Sequence, residues 1–170
     1  MTVFAIRAEC PEDSEAIREV NQQAFGQDAE ARLVERLRAD RVVITSLVAV
    51  EGDRVIGHIL FSELPIETVS RTIRGGALAP MSVIPSRQRQ GIGSLLVREG
   101  IKECHRRGVD VLVVLGHLDY YPRFGFSAEK ARCLRSRYSG AHFMALELVP
   151  RVLDGVLGTV RYPPAFTEVD

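Results

Sequence analysis

VIPSRQRQGIGSLLVREG, residues 83–100, joins an apolar run to an amphipathic one through two glycines that flank a single isoleucine. From Gly91 to Arg107 the residues Ile92, Leu95, Leu96, Gly100 and Cys104 recur at the spacing of one helical face. Arg98, Glu99, Lys102, Glu103 and Arg106 fall opposite. Basic residues fill the last turn and Gly108 follows as a stop. Before the glycines, ALAPMSVIP (77–85) reads as a strand whose pairing Pro80 and Pro85 interrupt. After the helix, VDVLVVLG (109–116) shows little alternation, as expected of a strand covered on both faces. Strand, helix and strand in this order predict a right-handed parallel crossover, with the helix on one face of a sheet.

Outward from that unit, TVFAIRAE (2–9) predicts a first strand that Pro11 ends. PEDSEAIREVNQQAF (11–25) carries Ile17, Val20, Ala24 and Phe25 at helical spacing, with acids in its first turn. Asp28 is placed to cap a second helix, AEARLVERLRAD (29–40), with Leu33, Val34 and Leu37 on one side. RVVITSLVAV (41–50) and RVIGHILFSEL (54–64), joined by Glu-Gly-Asp, read as a hairpin. Residues 65–76 form a polar connection. HLDYYPRFGF (117–126) holds a short helix, SAEKARCLRSRYSG (127–140) a basic loop and AHFMALELVP (141–150) a last strand before a turn-rich tail. The expected architecture is α/β, of the mixed α+β kind, in one domain over residues 1–170. Residues 1–40 supply the first strand and two helices, 42–116 the central sheet and glycine loop, and 117–170 the C-terminal strands and tail.

Bulk properties restrict the partners. Lysine plus arginine and aspartate plus glutamate number 22 each among 170 residues, so no net charge draws the chain to nucleic acid or an anionic membrane. Cys10, Cys104 and Cys133 are scattered without a CxxC pair, which predicts reduced thiols in a cytoplasm. His58, His105, His117 and His142 lack ligand spacing, so no metal is expected. Arg7 and Glu9 interrupt the N-terminal apolar run, against a signal peptide, and no uncharged run approaches membrane-spanning length. A soluble cytoplasmic protein is expected.

The glycines have a physical reason beyond packing. A helix N-terminus presents several amides without intrahelical partners and carries roughly half a positive charge. Gly91-Ile92-Gly93-Ser94 contains no acid to occupy that site, and Arg87 and Arg89 add charge beside it. This is a phosphate cradle on chemical grounds, and an ordinary strand-helix loop is the alternative. A Walker A loop would end in Gly-Lys-Ser/Thr, which is absent. A dinucleotide fingerprint needs a third glycine where Leu96 stands, and an acid at the end of the next strand, whereas Asp110 precedes that strand.

Gln88-Arg89-Gln90-Gly91-Ile92-Gly93 resembles the acetyl-CoA signature of the GNAT superfamily of N-acetyltransferases, Gln/Arg-x-x-Gly-x-Gly/Ala. YYPRFGF resembles that family's later Tyr-x-x-x-Gly-Phe element. LAPMSVIP, LGHLDYYPRFGF and GTVRYPPAF are similar to a bacterial branch, the YhbS-like acetyltransferases. The resemblance implies a largely antiparallel sheet splayed at one central parallel pair, with helices on both faces. It implies acetyl-CoA as acetyl donor, its pyrophosphate held by amides among Gln88, Arg89, Gly91, Ile92, Gly93 and Ser94. Its pantetheine arm would pair like an added strand with the backbone of Ser82 and Val83, an amide near Val83 polarising the thioester.

The implied reaction is direct attack by a primary amine of a small molecule or protein in a ternary complex. Tyr121, four residues before Gly125, matches the family's tyrosine acid; Pro122 directly after it departs from helical geometry there and keeps Tyr120 as a second candidate. No glutamate base stands on ALAPMSV. His117 is the candidate base, with a structural histidine as its alternative. His58 faces either the cleft or the core, and Glu30 either binds a cationic amine or is a solvated helix charge. The basic run Lys130, Arg132, Arg135 and Arg137 reads either as solvated or as reaching the coenzyme's phosphates. A non-catalytic acyl-CoA-binding module is the competing function, with a dinucleotide domain a distant third. The apolar, proline-ended tail makes a second copy of the chain a further candidate partner.

Overall fold

A computed structural model describes residues 3–167. In chain order the elements are β1 (Ala5–Ala8), α1 (Ser14–Phe25), α2 (Ala29–Ala39), β2 (Val43–Glu51) and β3 (Arg54–Glu63). The short β4 (Ile66–Glu67) and β5 (Thr72–Ile73) follow, then β6 (Gly75–Val83), α3 (Ile92–Arg106) and β7 (Val111–Leu115). Last come β8 (Leu134–Arg135), β9 (Phe143–Glu147) and β10 (Gly158–Val160). A six-stranded sheet runs β1-β2-β3-β6-β7-β9, antiparallel everywhere except between β6 and β7. The fold is therefore the mixed α/β arrangement expected, with the one parallel pair of this sheet joined through α3.

Helices cover both faces. Gly57 and His58 are neighbours on β3 and point to opposite sides. A Cβ at Gly57 would lie 3.1 Å from Leu96 on α3, while His58 meets Asn21 on α1. Ile92, Leu96, Val97 and Cys104 of α3 are all buried. Burial of each large aliphatic side chain contributes about 1.5–3 kcal/mol. Val97 takes the inward place expected of Leu95, which is half-buried. Gly100 lets α3 lie on the Phe61 ring, where a Cβ would come within 2.6 Å of Cζ.

Local details refine the reading. Residues Pro11–Asp13 form a separate 3-10 turn before α1. Its Asp13 carboxylate is buried, accepts both guanidinium nitrogens of Arg7 at 2.7 and 3.0 Å, and is thereby held well below the usual carboxylate range. Asp28 makes no side-chain cap for α2; its carboxylate instead takes Gln22 and Arg18 from α1, tying the two helices. The segment expected as mere connection contains β4 and β5, and the tail contains β10. With β8 these make a second sheet, ordered β5-β4-β10-β8. No helix among the described residues is long and apolar enough to cross a membrane.

The feature that positions the site is where β6 and β7 part. They pair at Gly75–Val111, Gly76–Leu112 and Ala77–Val113, and no further. On its other side β6 stays bound to β3 as far as Val83, with a register shift between Ile59–Met81 and Phe61–Leu78 opposite the cis Ala79–Pro80 bond. Leu78 to Val83 therefore line a gap open on the β7 side.

Candidate active site

A cavity of about 1030 Å³ runs through that gap, bordered by α1 and α2 on one face and by the first turn of α3 on the other. Ile84 donates its N–H to the Ile56 carbonyl at 3.0 Å. Alternation along an antiparallel pair then turns the Ser82 amide toward β3 and those of Met81 and Val83 into the gap. Of the two residues expected to pair with a strand-like ligand, Val83 faces it with its backbone. Ser82 borders the cavity, and its buried Oγ has no partner among the described residues. The Val83 carbonyl accepts the Gln88 side-chain amide at 2.9 Å.

At the mouth on the α3 side, Pro85–Arg87 makes one 3-10 turn, and Arg89 (φ 63°) and Gly91 (φ 84°) both turn left-handed. Leu95 is the first residue of the helix to bond inward, its N–H reaching the Gly91 carbonyl at 3.1 Å. The amides of Ile92, Gly93 and Ser94 thus have no intrahelical acceptor, and no acid stands in that turn. A Cβ at Gly91 would project into open space. Arg87 does not add free charge here, because Glu51 takes its Nε and Nη2 at 2.9 and 3.1 Å. Arg89 makes no ion pair among the described residues. The Ile92 side chain is in the core, so only its backbone serves the loop.

The opposite lip is the segment after β7. Tyr120 and Tyr121 both donate their N–H groups to the His117 carbonyl at 3.2 Å. Tyr121–Phe124 is a 3-10 turn with Pro122 in its first turn, closed by Gly125 at φ 100°. Tyr121 packs its ring on Gly116, where a Cβ would come within 2.7 Å of Cδ2. Its phenol is buried, which pushes its pKa up to about 12, with Tyr120 adding to the effect. The phenol therefore stays protonated throughout the neutral range. Its hydroxyl makes no hydrogen bond among the described residues, whereas that of Tyr120 reaches Ser94 Oγ at 3.2 Å. His117 is exposed and borders the same cavity.

Other candidates sort clearly. His58 is fully buried between Asn21 Nδ2 at 3.3 Å and Ser46 Oγ at 2.8 Å, and burial lowers its pKa to about 3. It is a neutral core histidine. Lys130, Arg132, Arg135 and Arg137 do not border the cavity; Lys130 pairs with Glu147 and Arg137 lies 5.1 Å over the Tyr138 ring. Glu30 does border it. Sequence reasoning missed the Glu51–Arg87 pair and the Tyr120–Ser94 contact, which join residues 36 and 26 positions apart and have no local signature. Among the described residues no three His, Cys, Asp or Glu gather as metal ligands.

The family described as acetyltransferase (GNAT) domain matches residues 5–128. The chain is 34% identical over 166 residues to the uncharacterized N-acetyltransferase YhbS of Escherichia coli, covering 96% of this chain and 98% of that protein. It is also similar to YjhQ of the same organism, 40% identical over 117 residues, 67% of this chain and 64% of YjhQ. A crystal structure of Escherichia coli YhbS in complex with CoA superimposes with a TM-score of 0.89 at 33% identity, covering 98% of this chain and 93% of the other. A Brucella melitensis GNAT acetyltransferase in complex with acetyl-CoA gives 0.80 at 36% identity, covering 98% and 99%.

Proposed function

The chain belongs to the GNAT acetyltransferases, and from that premise we propose that it transfers an acetyl group from acetyl-CoA to a primary amine by direct attack in a ternary complex. One observation carries the reading. The gap between β6 and β7 is continuous with the unpaired amides of α3 and with the Tyr121 phenol. A coenzyme needs an anion site and a strand-like slot in line, and an acid where the two meet. The acid-free first turn of α3 and the inward amides of Met81 and Val83 fit such a molecule. The relatives whose structures contain CoA or acetyl-CoA support the same choice.

Acetyl-CoA supplies an activated acetyl thioester; the chain's residues do the rest. Backbone amides of Ile92, Gly93 and Ser94, with Gln88, Arg89 and Gly91 around them, hold the pyrophosphate. The Val83 N–H in the gap faces the thioester oxygen, a donor whose loss in other enzymes costs about 10²–10³ in rate. His117, exposed on the cavity wall, takes the proton that the amine nitrogen gives up as its lone pair attacks the acetyl carbon. Tyr121 gives its phenolic proton to the sulfur as the C–S bond breaks, and recovers one from solvent. The single domain over residues 1–170, acting in the cytoplasm, completes the reading.

The test combines a thermal melt with a thiol-release assay. Acetyl-CoA at about a hundred times its dissociation constant should add roughly 2.7 kcal/mol, a shift of several degrees that NAD and ATP do not produce. Tyr121→Phe should lower turnover by about 10²–10⁴ with little change in coenzyme affinity. A coenzyme-specific shift with no acetyl transfer to any amine would leave a binding module instead of an enzyme. Absence of any shift would remove the cradle itself.

A further inference from the structure

The cavity wall on the α1–α2 side is chemically unlike the mouth at α3. It is made by Ala24, Phe25, Leu33 and Leu115, with Glu30 the one ionisable group that the two helices contribute to it. Phe25 is 41% exposed and Leu115 is 51% exposed, so among the described residues these two apolar side chains of the wall stand largely uncovered. Glu30 is also unusual among the acids of its own helix region. Asp28 pairs with Arg18 and Arg32, Glu35 with Arg18, and Asp40 with Arg36. Glu30 has only the neutral Gln27 amide, at 2.6 and 3.2 Å, and no cation among the described residues. The cationic residues on the cavity border lie elsewhere. Arg87 and Arg89 belong to the phosphate loop, and Arg123 stacks 4.6 Å over the Tyr120 ring and donates to the Asp119 carbonyl.

Resting on the acetyltransferase reading above, we infer that the acceptor is an apolar primary amine without an acidic group. Its ammonium docks on Glu30 and releases one proton to solvent before its lone pair attacks, and its hydrocarbon or aromatic body lies against Phe25, Leu33 and Leu115. A half-buried carboxylate without a counter-ion gains a charge-assisted hydrogen bond from an arriving ammonium. An apolar body removes exposed side chains from water at the same time. A carboxylate or phosphate on the acceptor would meet Glu30 with no arginine or lysine on that wall to receive it. A polyamine would satisfy Glu30 but leave the apolar wall wet.

Calorimetric titration of the full chain saturated with CoA tests this without turnover. 2-Phenylethylamine and L-phenylalanine share one apolar body and differ by a carboxylate. The amine should bind at least about tenfold tighter than the amino acid, and Glu30→Gln should remove about tenfold of that affinity. Phe25→Ala should weaken 2-phenylethylamine while sparing methylamine. With acetyl-CoA, Glu30→Gln should raise the KM for the amine and leave the KM for acetyl-CoA in place. Equal binding of amine and amino acid, tighter binding of spermidine, no binding of 2-phenylethylamine, or an unchanged Glu30→Gln variant would each overturn the inference. The two readings fail separately. Binding of 2-phenylethylamine with no acetyl product supports this subsite and strikes acetyl transfer. Acetylation of amines that is indifferent to Glu30 strikes the subsite alone.

Discussion

The Tyr120 hydroxyl stands 3.2 Å from Ser94 Oγ, so the segment after β7 is fastened to the first turn of α3 across the open mouth of the sheet. Its neighbour Tyr121 lines the same cavity with a buried phenol that makes no hydrogen bond among the described residues. Two adjacent tyrosines thus differ, one bracing the mouth and the other, in the function proposed above, giving a proton.

Substitution separates them. Tyr120→Phe removes one part-buried hydrogen bond and should cost about 0.5–1.5 kcal/mol, a fall of a few degrees in melting temperature for a chain of this length, with most turnover retained. Tyr121→Phe removes no hydrogen bond seen among the described residues and should melt near the parent while losing turnover. Melting curves and thiol release on the two variants decide the assignment; the opposite pattern would make Tyr120 the acid.

Two glycines of α3 make a second contrasting pair. A Cβ at Gly93 would sit 3.2 Å from the Tyr120 hydroxyl and 3.3 Å from Met81, at the rim of the cavity. Gly93→Ala should leave the fold intact but weaken acetyl-CoA by about tenfold or more, because the new methyl stands beside the amides proposed as the anion site. Gly100→Ala drives a methyl into Phe61 and should cost about 1–3 kcal/mol of stability with coenzyme affinity little changed. Calorimetry for affinity and denaturant melts for stability read the two effects independently.

His58 makes stability depend on pH. Burial, with the Arg38 charge adding, holds its folded pKa near about 3, whereas an unfolded imidazole titrates near about 6.5. Between those values the unfolded chain binds a proton that the folded chain refuses. The His58 contribution is therefore complete above about pH 6.5 and is lost as pH falls, by about 1.4 kcal/mol per unit. Urea melts at about pH 7.5 and about pH 5.5 should differ by roughly 1.4 kcal/mol in the parent. His58→Gln should start lower and lose that part of the slope; an identical slope in the variant would place the titrating group elsewhere.

Much of the central unit is legible because its signals are local. The β-branched run of β7, the amphipathic face of α3 and the glycines at its two ends each specify one element without help from distant residues. The second sheet is not legible in the same way. Its strands are two or three residues long, too short for any alternation, and they exist because β10 reaches back to pair with β4. Side-chain partners follow the same division. The cavity position of Tyr121 follows from its place beside Gly116, whereas the neutrality of His58 comes from burial beneath elements distant in the chain, which bring Asn21 and Ser46 to its ring.

The parting of β6 from β7 also says how the two halves of the molecule are held together. Strands β1, β2, β3 and β6 form one block and β7 with β9 another, joined in the large sheet by the Gly75–Ala77 rungs. The second tie, β4 to β10, lies at the same end, next to the finish of β3 and the start of β6. Both fastenings are at the closed end and the cavity is at the free one, as in a clothes-peg. The free end is bridged by the Tyr120–Ser94 contact, so the jaw width is set jointly by packing at the closed end and by one hydrogen bond beside the cavity.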